Sequence, residues 1–142
     1  DYHSDLAIWR DTLAKRPLNA RAHYNFGVAI EREGKRDEAF RHYAEAVRLD
    51  PDSSEAHNNL GRVLVHQGHP EEAAAHFVKA LQLRPSNAEA HNNLANLLAQ
   101  QGRLEEAIAH YEEALRLKPD YAAARRNLAL VRARHTGRDA QR

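Results

Sequence analysis

The chain has 142 residues and no cysteine, which allows a buried core but excludes a disulfide framework, a thiolate metal cluster and a thiol nucleophile. Lysine and arginine total 21 against 20 aspartate and glutamate, a balance unlike that of a nucleic-acid binder. No apolar run approaches the ~20 residues of a membrane span, so neither a nucleic-acid partner nor direct membrane insertion is expected, and nothing in the composition assigns a compartment.

The opening residues DYHSDLAIWR carry no basic head, apolar stretch or cleavage site of a leader peptide. The chain contains no methionine and reads as a segment of a longer protein. Glycine and proline are few, at 6 and 5, while Ala, Leu, Glu and Arg abound, a composition that favours helix. One spacing organises everything else. Pro17, Pro51, Pro85 and Pro119 are evenly spaced, and Gly34, Gly68 and Gly102 keep the same step, as do Ala39, Ala73 and Ala107. Tyr43, Phe77 and Tyr111 keep it too, with Asn25, Asn59, Asn93 and Asn127, and with His23, His57 and His91. A repeat of this length, ~34 residues, is one supersecondary unit that buries its apolar face by stacking on copies of itself.

In chain order, residues 4–16 form a half unit, the second helix of a repeat whose first helix is absent. Trp9 lies one step before Tyr43, but Asp5, Thr12 and Lys15 replace the apolar Ala39, Ala46 and Leu49. This end is therefore a candidate surface for self-association near Trp9; the plainer alternative is that the next helix covers Trp9. Residues 20–53, 54–87 and 88–121 are three full units of two helices. In the third, Ala90, His91, Leu94, Ala95 and Leu98 recur at helical spacing. Gly102 ends that helix. Ala107, Tyr111, Ala114 and Leu115 form the second stripe, and Pro119 closes the unit. Residues 122–135 repeat a first helix alone, with Arg132 where Ile30, Leu64 and Leu98 are apolar, as suits a capping helix with a wet outer face. Residues 136–142 are expected to be a disordered tail. Six arginines and one acid, Asp139, fall between Ala122 and Arg142. They read either as a solvated cap or as a basic patch for an anionic partner.

This pattern resembles the tetratricopeptide repeat family. The matching positions are Phe26, Gly27, Ile30, Gly34, Ala39, Tyr43, Ala46 and Pro51 in the first full unit. Leu60, Gly61, Leu64, Gly68, Ala73, Phe77, Ala80 and Pro85 follow in the second. Leu94, Ala95, Leu98, Gly102, Ala107, Tyr111, Ala114 and Pro119 follow in the third, where Ala95 stands in place of the glycine. The resemblance implies an all-α, right-handed α-solenoid of antiparallel helix pairs, its first helices lining a concave side. The stretch DLAIWRDTLAKRPLNARAHYNFG also resembles, over a short span, the junction of multi-pass membrane O-mannosyltransferase-like proteins that carry such repeats as a tail.

A helical wheel places Asn25, Asn59, Asn93 and Asn127 away from the apolar arc, in a ladder on the open face. Beside them it places Tyr24, Asn58, Asn92 and Arg126, then Val28, Arg62 and Asn96. An amide offers both donor and acceptor to a peptide group, and helices ~8–10 Å apart would address about every third residue of an extended chain rising ~3.3 Å per residue. The HNNLG and HNNLA strings at His57 and His91 resemble the repeats of O-linked N-acetylglucosamine transferases, whose asparagine ladder holds peptide backbones. The alternative is that these amides only satisfy neighbouring helices.

A carboxylate clamp of the kind found in chaperone adaptors is not expected, because Tyr24, Val28, Glu89 and Asn93 occupy four of its five places. Nor is a metal site expected, since equivalent histidines in adjacent units lie too far apart to share an ion with ~2 Å bonds. No cofactor or catalytic motif is present. The sequence therefore points to a non-catalytic scaffold that binds an extended polypeptide in a concave groove. Two alternatives are a docking or substrate-recruiting module of a larger membrane-anchored or glycosyltransferase-type enzyme, and a self-assembly module that stacks end to end.

Overall fold

The structure, a computed structural model, describes the backbone from Tyr2 to Arg142 and the side chains from Asp5 onward. The part of the leader-peptide reading that falls on Asp1, and on the side chains of residues 1–4, lies outside the described residues. Eight helices account for the described fold: α1 Tyr2–Lys15, α2 Ala20–Arg32, α3 Arg36–Leu49, α4 Ser54–His66, α5 Pro70–Leu83, α6 Ala88–Gln100, α7 Leu104–Leu117 and α8 Ala122–Ala140. They fall into two compact units, Asp1–His76 and Phe77–Arg142, divided within α5.

The helix ends repeat as the sequence does, because the same chemistry recurs at each. Asn19, Ser53 and Asn87 cap α2, α4 and α6, each side chain accepting from the backbone N–H three residues on, of Ala22, Ala56 and Ala90, at 3.0, 3.2 and 3.1 Å. These bonds satisfy donors that a helix start leaves orphaned. Where α3 and α7 begin there is no side-chain cap; Asp37 and Glu38, or Glu105 and Glu106, occupy the first turn and favour the helix dipole. Gly34, Gly68 and Gly102 follow the first helices with φ of 83°, 81° and 79°, the left-handed conformation that closes a helix with a glycine.

In the first unit α2 packs on α1 and α3, and α3 on α4. Its core holds Phe26, Ile30, Ala39, Tyr43 and Leu60. The Phe26 and His42 rings stand nearly perpendicular, their centroids 4.6 Å apart, and Phe26 lies beneath the Arg10 guanidinium at 5.9 Å. Tyr43 is fully buried, and its ring runs so close to α2 that a Cβ on Gly27 would stand 2.8 and 2.9 Å from two ring carbons. Gly27→Ala is therefore expected to destabilise by about 1–3 kcal/mol, as read by urea unfolding. Size alone does not make alanine acceptable at this position. Trp9 is half-buried in α1, while its neighbour Ile8 is 56% exposed.

In the second unit α6 packs on α7, and α7 on α8, around Leu94, Leu98, Leu104, Tyr111, Leu128 and Val131. The C-terminal segment departs from expectation. Instead of a cap ending at 135 and a disordered tail over 136–142, α8 continues to Ala140. The reason lies in its arginines. Arg134 Nη2 donates to the Ala99 carbonyl at 3.4 Å and Arg138 Nη1 to the Gly102 carbonyl at 2.9 Å, so both reach the carbonyl-rich end of α6, where cations are favoured. His135 meets Glu105 at 3.0 Å between them. Part of the basic content of this segment thus ties the helix down.

Candidate functional site

The first helices carry every residue expected to face a groove, and each unit treats them differently. In the first unit Tyr24, Asn59 and Arg62 line a pocket of about 430 Å³ together with Val28, Glu31, Arg32 and Tyr43. Tyr24 and Asn25 line a second pocket, of about 410 Å³, which reaches Asp50, Ser53 and Glu55. The Tyr24 ring, which lines both pockets, lies 6.1 Å from that of Tyr43, tilted by 52°. Asn25 and Asn59 are half-buried.

Arg62 is not a free cation waiting for a ligand. Its Nη2 donates to Glu31 Oε1 at 2.8 Å and its Nη1 to Oε2, while the Tyr43 hydroxyl donates to the same Oε1 at 2.8 Å. Burial pushes the Glu31 carboxyl up, but the bonds from Arg62 and Tyr43 outweigh it and hold Glu31 below its ordinary range. Burial and the Glu31 carboxylate together push the Tyr43 hydroxyl well up. The pocket is thus floored by a neutralised ion pair, with Arg32 at its exposed edge. The repeat pattern does not mark Glu31. Its signal is an acid one turn beyond the expected open face, with a cation in the next repeat, at a separation of 31.

Two of the expected open-face residues are buried: Asn58 is 7% and Asn92 5% exposed. The wheel considered the seam within a repeat, whereas a first helix is covered by further neighbours on its flanks. In the second unit this can be followed bond by bond. Asn127 Nδ2 on α8 donates to Asn96 Oδ1 at 3.1 Å and approaches Asn92 Oδ1 at 3.5 Å, and the Tyr111 hydroxyl donates to Asn96 Oδ1. Burial pushes the Tyr111 hydroxyl up to about 12. Asn92, Asn96 and Asn127 are thus joined by side-chain bonds among α6, α7 and α8. Asn93 is half-buried and engaged within the chain, and Arg126 is exposed.

The histidines make the most regular constellation. His23, His57 and His91 each meet a histidine of the second helix of their own repeat, with Nδ1 to Nδ1 distances of 3.1 Å to His42, 3.0 Å to His76 and 2.9 Å to His110. The rings of each pair lie 5.2–5.3 Å apart. The other nitrogen, Nε2, meets the carbonyl of Pro17, Pro51 or Pro85 at 2.8, 2.8 and 2.9 Å. The sequence shows these as two separate rows; the signal that joins them is their constant offset of 19. Among the described residues no group of three or more His, Asp or Glu is placed to hold a metal ion, and no helix is long and apolar enough to cross a membrane.

The sequence pattern of the tetratricopeptide repeat family matches residues 5–54, 31–88 and 58–122. This chain belongs to the tetratricopeptide repeat family. Solved structures agree on the fold. MamA is similar at a TM-score of 0.82 and 23% identity, over 99% of this chain and 76% of that one. The first tetratricopeptide domain of Spaghetti (RPAP3), bound to the HSP90 peptide SRMEEVD, matches at 0.77 and 23%, over 82% and 93%. YrrB, described as a tetratricopeptide protein with an unusual peptide-binding site, matches at 0.76 and 25%, over 96% and 71%. No curated protein sequence matches the chain.

Proposed function

We propose that this tetratricopeptide chain is a protein-interaction scaffold that holds an extended polypeptide against its first helices. The observation that carries the reading is the pair of adjoining pockets at Tyr24, where Asn25 and Asn59 can offer amides beside an aromatic wall. Solved relatives of this fold include one described with an HSP90 peptide and one described by its peptide-binding site, which supports the same class of ligand. Asn25 and Asn59 would pair with backbone amides of the ligand, and Tyr24 with Val28 would cover an apolar side chain. The ladder proposed here is two asparagines rather than four, because Asn127 donates to Asn96 and Asn93 is already engaged within the chain.

The test is selection of extended peptides from a displayed library, followed by anisotropy titration of the best binder. Two net hydrogen bonds of ~0.5–1.5 kcal/mol each predict that Asn25→Ala with Asn59→Ala weakens binding by a factor of about 5 to 150, with a melting temperature within ~2 °C of the parent. In the second unit Asn127→Ala should do the reverse, lowering stability with little effect on binding. A double variant that melts early but binds as the parent does would assign Asn25 and Asn59 to packing.

A further inference from the structure

We infer that the three histidine pairs form a proton-operated latch, which holds each helix pair closed at neutral pH and releases it on mild acidification. The argument starts from the proline carbonyls, which can only accept. The Nε2 of His23, His57 and His91 must therefore carry the hydrogen that reaches Pro17, Pro51 or Pro85. The fourth repeat supports this assignment: Arg125, which takes the place of His91 one repeat on and is a donor only, gives its Nη2 hydrogen to the carbonyl of Pro119.

The tautomers follow. A neutral ring with its hydrogen on Nε2 has a bare Nδ1, so that Nδ1 accepts. The hydrogen in the 2.9–3.1 Å gap then belongs to Nδ1 of His42, His76 or His110. Each pair is a chain of two bonds running from the second helix through the first helix to the turn that precedes it. A first added proton can sit on the outer Nε2 of the second-helix ring without disturbing either bond. A second would have to enter the gap, setting N–H against N–H and charge against charge. The folded pair takes one proton where the unfolded chain takes two.

The surroundings act on the first proton and leave the second excluded. For the first pair the charged groups are Glu38, Arg41 and Glu45 on α3. From α1, Arg10 lies over the Phe26 ring, which stands perpendicular to the His42 ring. Glu72 on α5 acts on the second pair, and Glu106 and Glu113 on α7 act on the third. Burial, followed by the partner ring, holds His42, His76 and His110 below their ordinary value, against the pull of Glu38, Glu72 and Glu106. A base that binds protons less well when folded adds stability that is complete above its unfolded value, ~6.5, and that drains away as pH falls below it. One pH unit below that value, each excluded proton raises the unfolding constant about tenfold. Two pairs act in the first unit, His23 with His42 and His57 with His76, and one in the second.

The test needs no peptide, so its outcome is separate from that of the scaffold reading. The full chain is unfolded in urea between pH 7.5 and 5.5, beside H42N, H76N, H110N and the triple variant. Asparagine keeps a donor for the facing Nδ1, and by turning its amide it can accept from that nitrogen once protonated. Each substitution is expected to remove about one tenfold factor from the acid-induced rise. A triple variant as acid-sensitive as the parent overturns the latch. Nitrogen-15 NMR of the parent gives an independent reading whether or not the variants fold. At pH 7.5 it should find His23, His57 and His91 protonated on Nε2, and His42, His76 and His110 on Nδ1. First-helix rings doubly protonated in the folded chain would equally overturn it.

Discussion

Replacing Tyr43 with alanine is expected to lower the stability of the first unit by about 3–5 kcal/mol, enough to leave much of a marginally stable fold unfolded. The ring is fully buried, fills the space left by the missing side chain at Gly27, and delivers its hydroxyl to Glu31. Tyr43→Phe separates these roles. It keeps the ring and removes one bond to a charged acceptor, a loss of about 1.5–3 kcal/mol, reduced because Arg62 still holds both carboxylate oxygens. At Tyr111, whose hydroxyl goes to the neutral Asn96 amide, the same change should cost nearer 1 kcal/mol. Urea unfolding of these variants gives the comparison directly. A Tyr43→Phe loss no larger than that at Tyr111 would mean that the carboxylate adds nothing to the bond.

The contrast between the two tyrosines also marks how far the sequence can be read. Spacing identifies Tyr43, Phe77 and Tyr111 as equivalent large residues, and all three are buried. It does not say where a buried hydroxyl goes, because that depends on residues outside the repeat consensus: Glu31 in one unit and Asn96 in the other. The histidine pairs escape for a related reason. A repeat-to-repeat comparison aligns a residue with its copies, whereas His57 touches a residue of its own repeat, 19 positions on. The asparagines show the limit of a single-helix wheel. Asn25 and Asn59 reach pockets, but Asn58 and Asn92 are buried by neighbours that one helix cannot reveal. The length of α8 depended on Arg134 and Arg138 finding carbonyls that lie 35 and 36 residues back along the chain.

The second large effect is expected at the ion pair itself. Glu31→Ala leaves the Arg62 guanidinium and the Tyr43 hydroxyl without their shared acceptor. Breaking a fully buried pair costs about 3–5 kcal/mol, but the Arg62 side chain is 36% exposed and the Glu31 side chain 13%, so water recovers part of the loss and about 2 kcal/mol is expected. Because both single variants lose the same contact, Glu31→Ala combined with Arg62→Ala should cost less than the sum of the two, by about 1–2 kcal/mol. Additive losses would show the pair to be idle. Acid offers a second check. Glu31 is held below its ordinary value, so its contribution is complete above ~4.3, the unfolded value, and is lost as pH falls through the lower folded one. That window lies below the histidine window, and Glu31→Gln should remove the Glu31 share of it, leaving that of Glu45, Glu105 and Glu113, which are also held low. The same substitution bears on ligand choice. While Glu31 neutralises Arg62, a carboxylate on a bound peptide must compete with it for the guanidinium. Glu31→Gln removes the competitor, and should raise affinity for an acidic peptide over its amidated counterpart while lowering stability. Equal affinities for the two peptides in that variant would place Arg62 out of a ligand's reach.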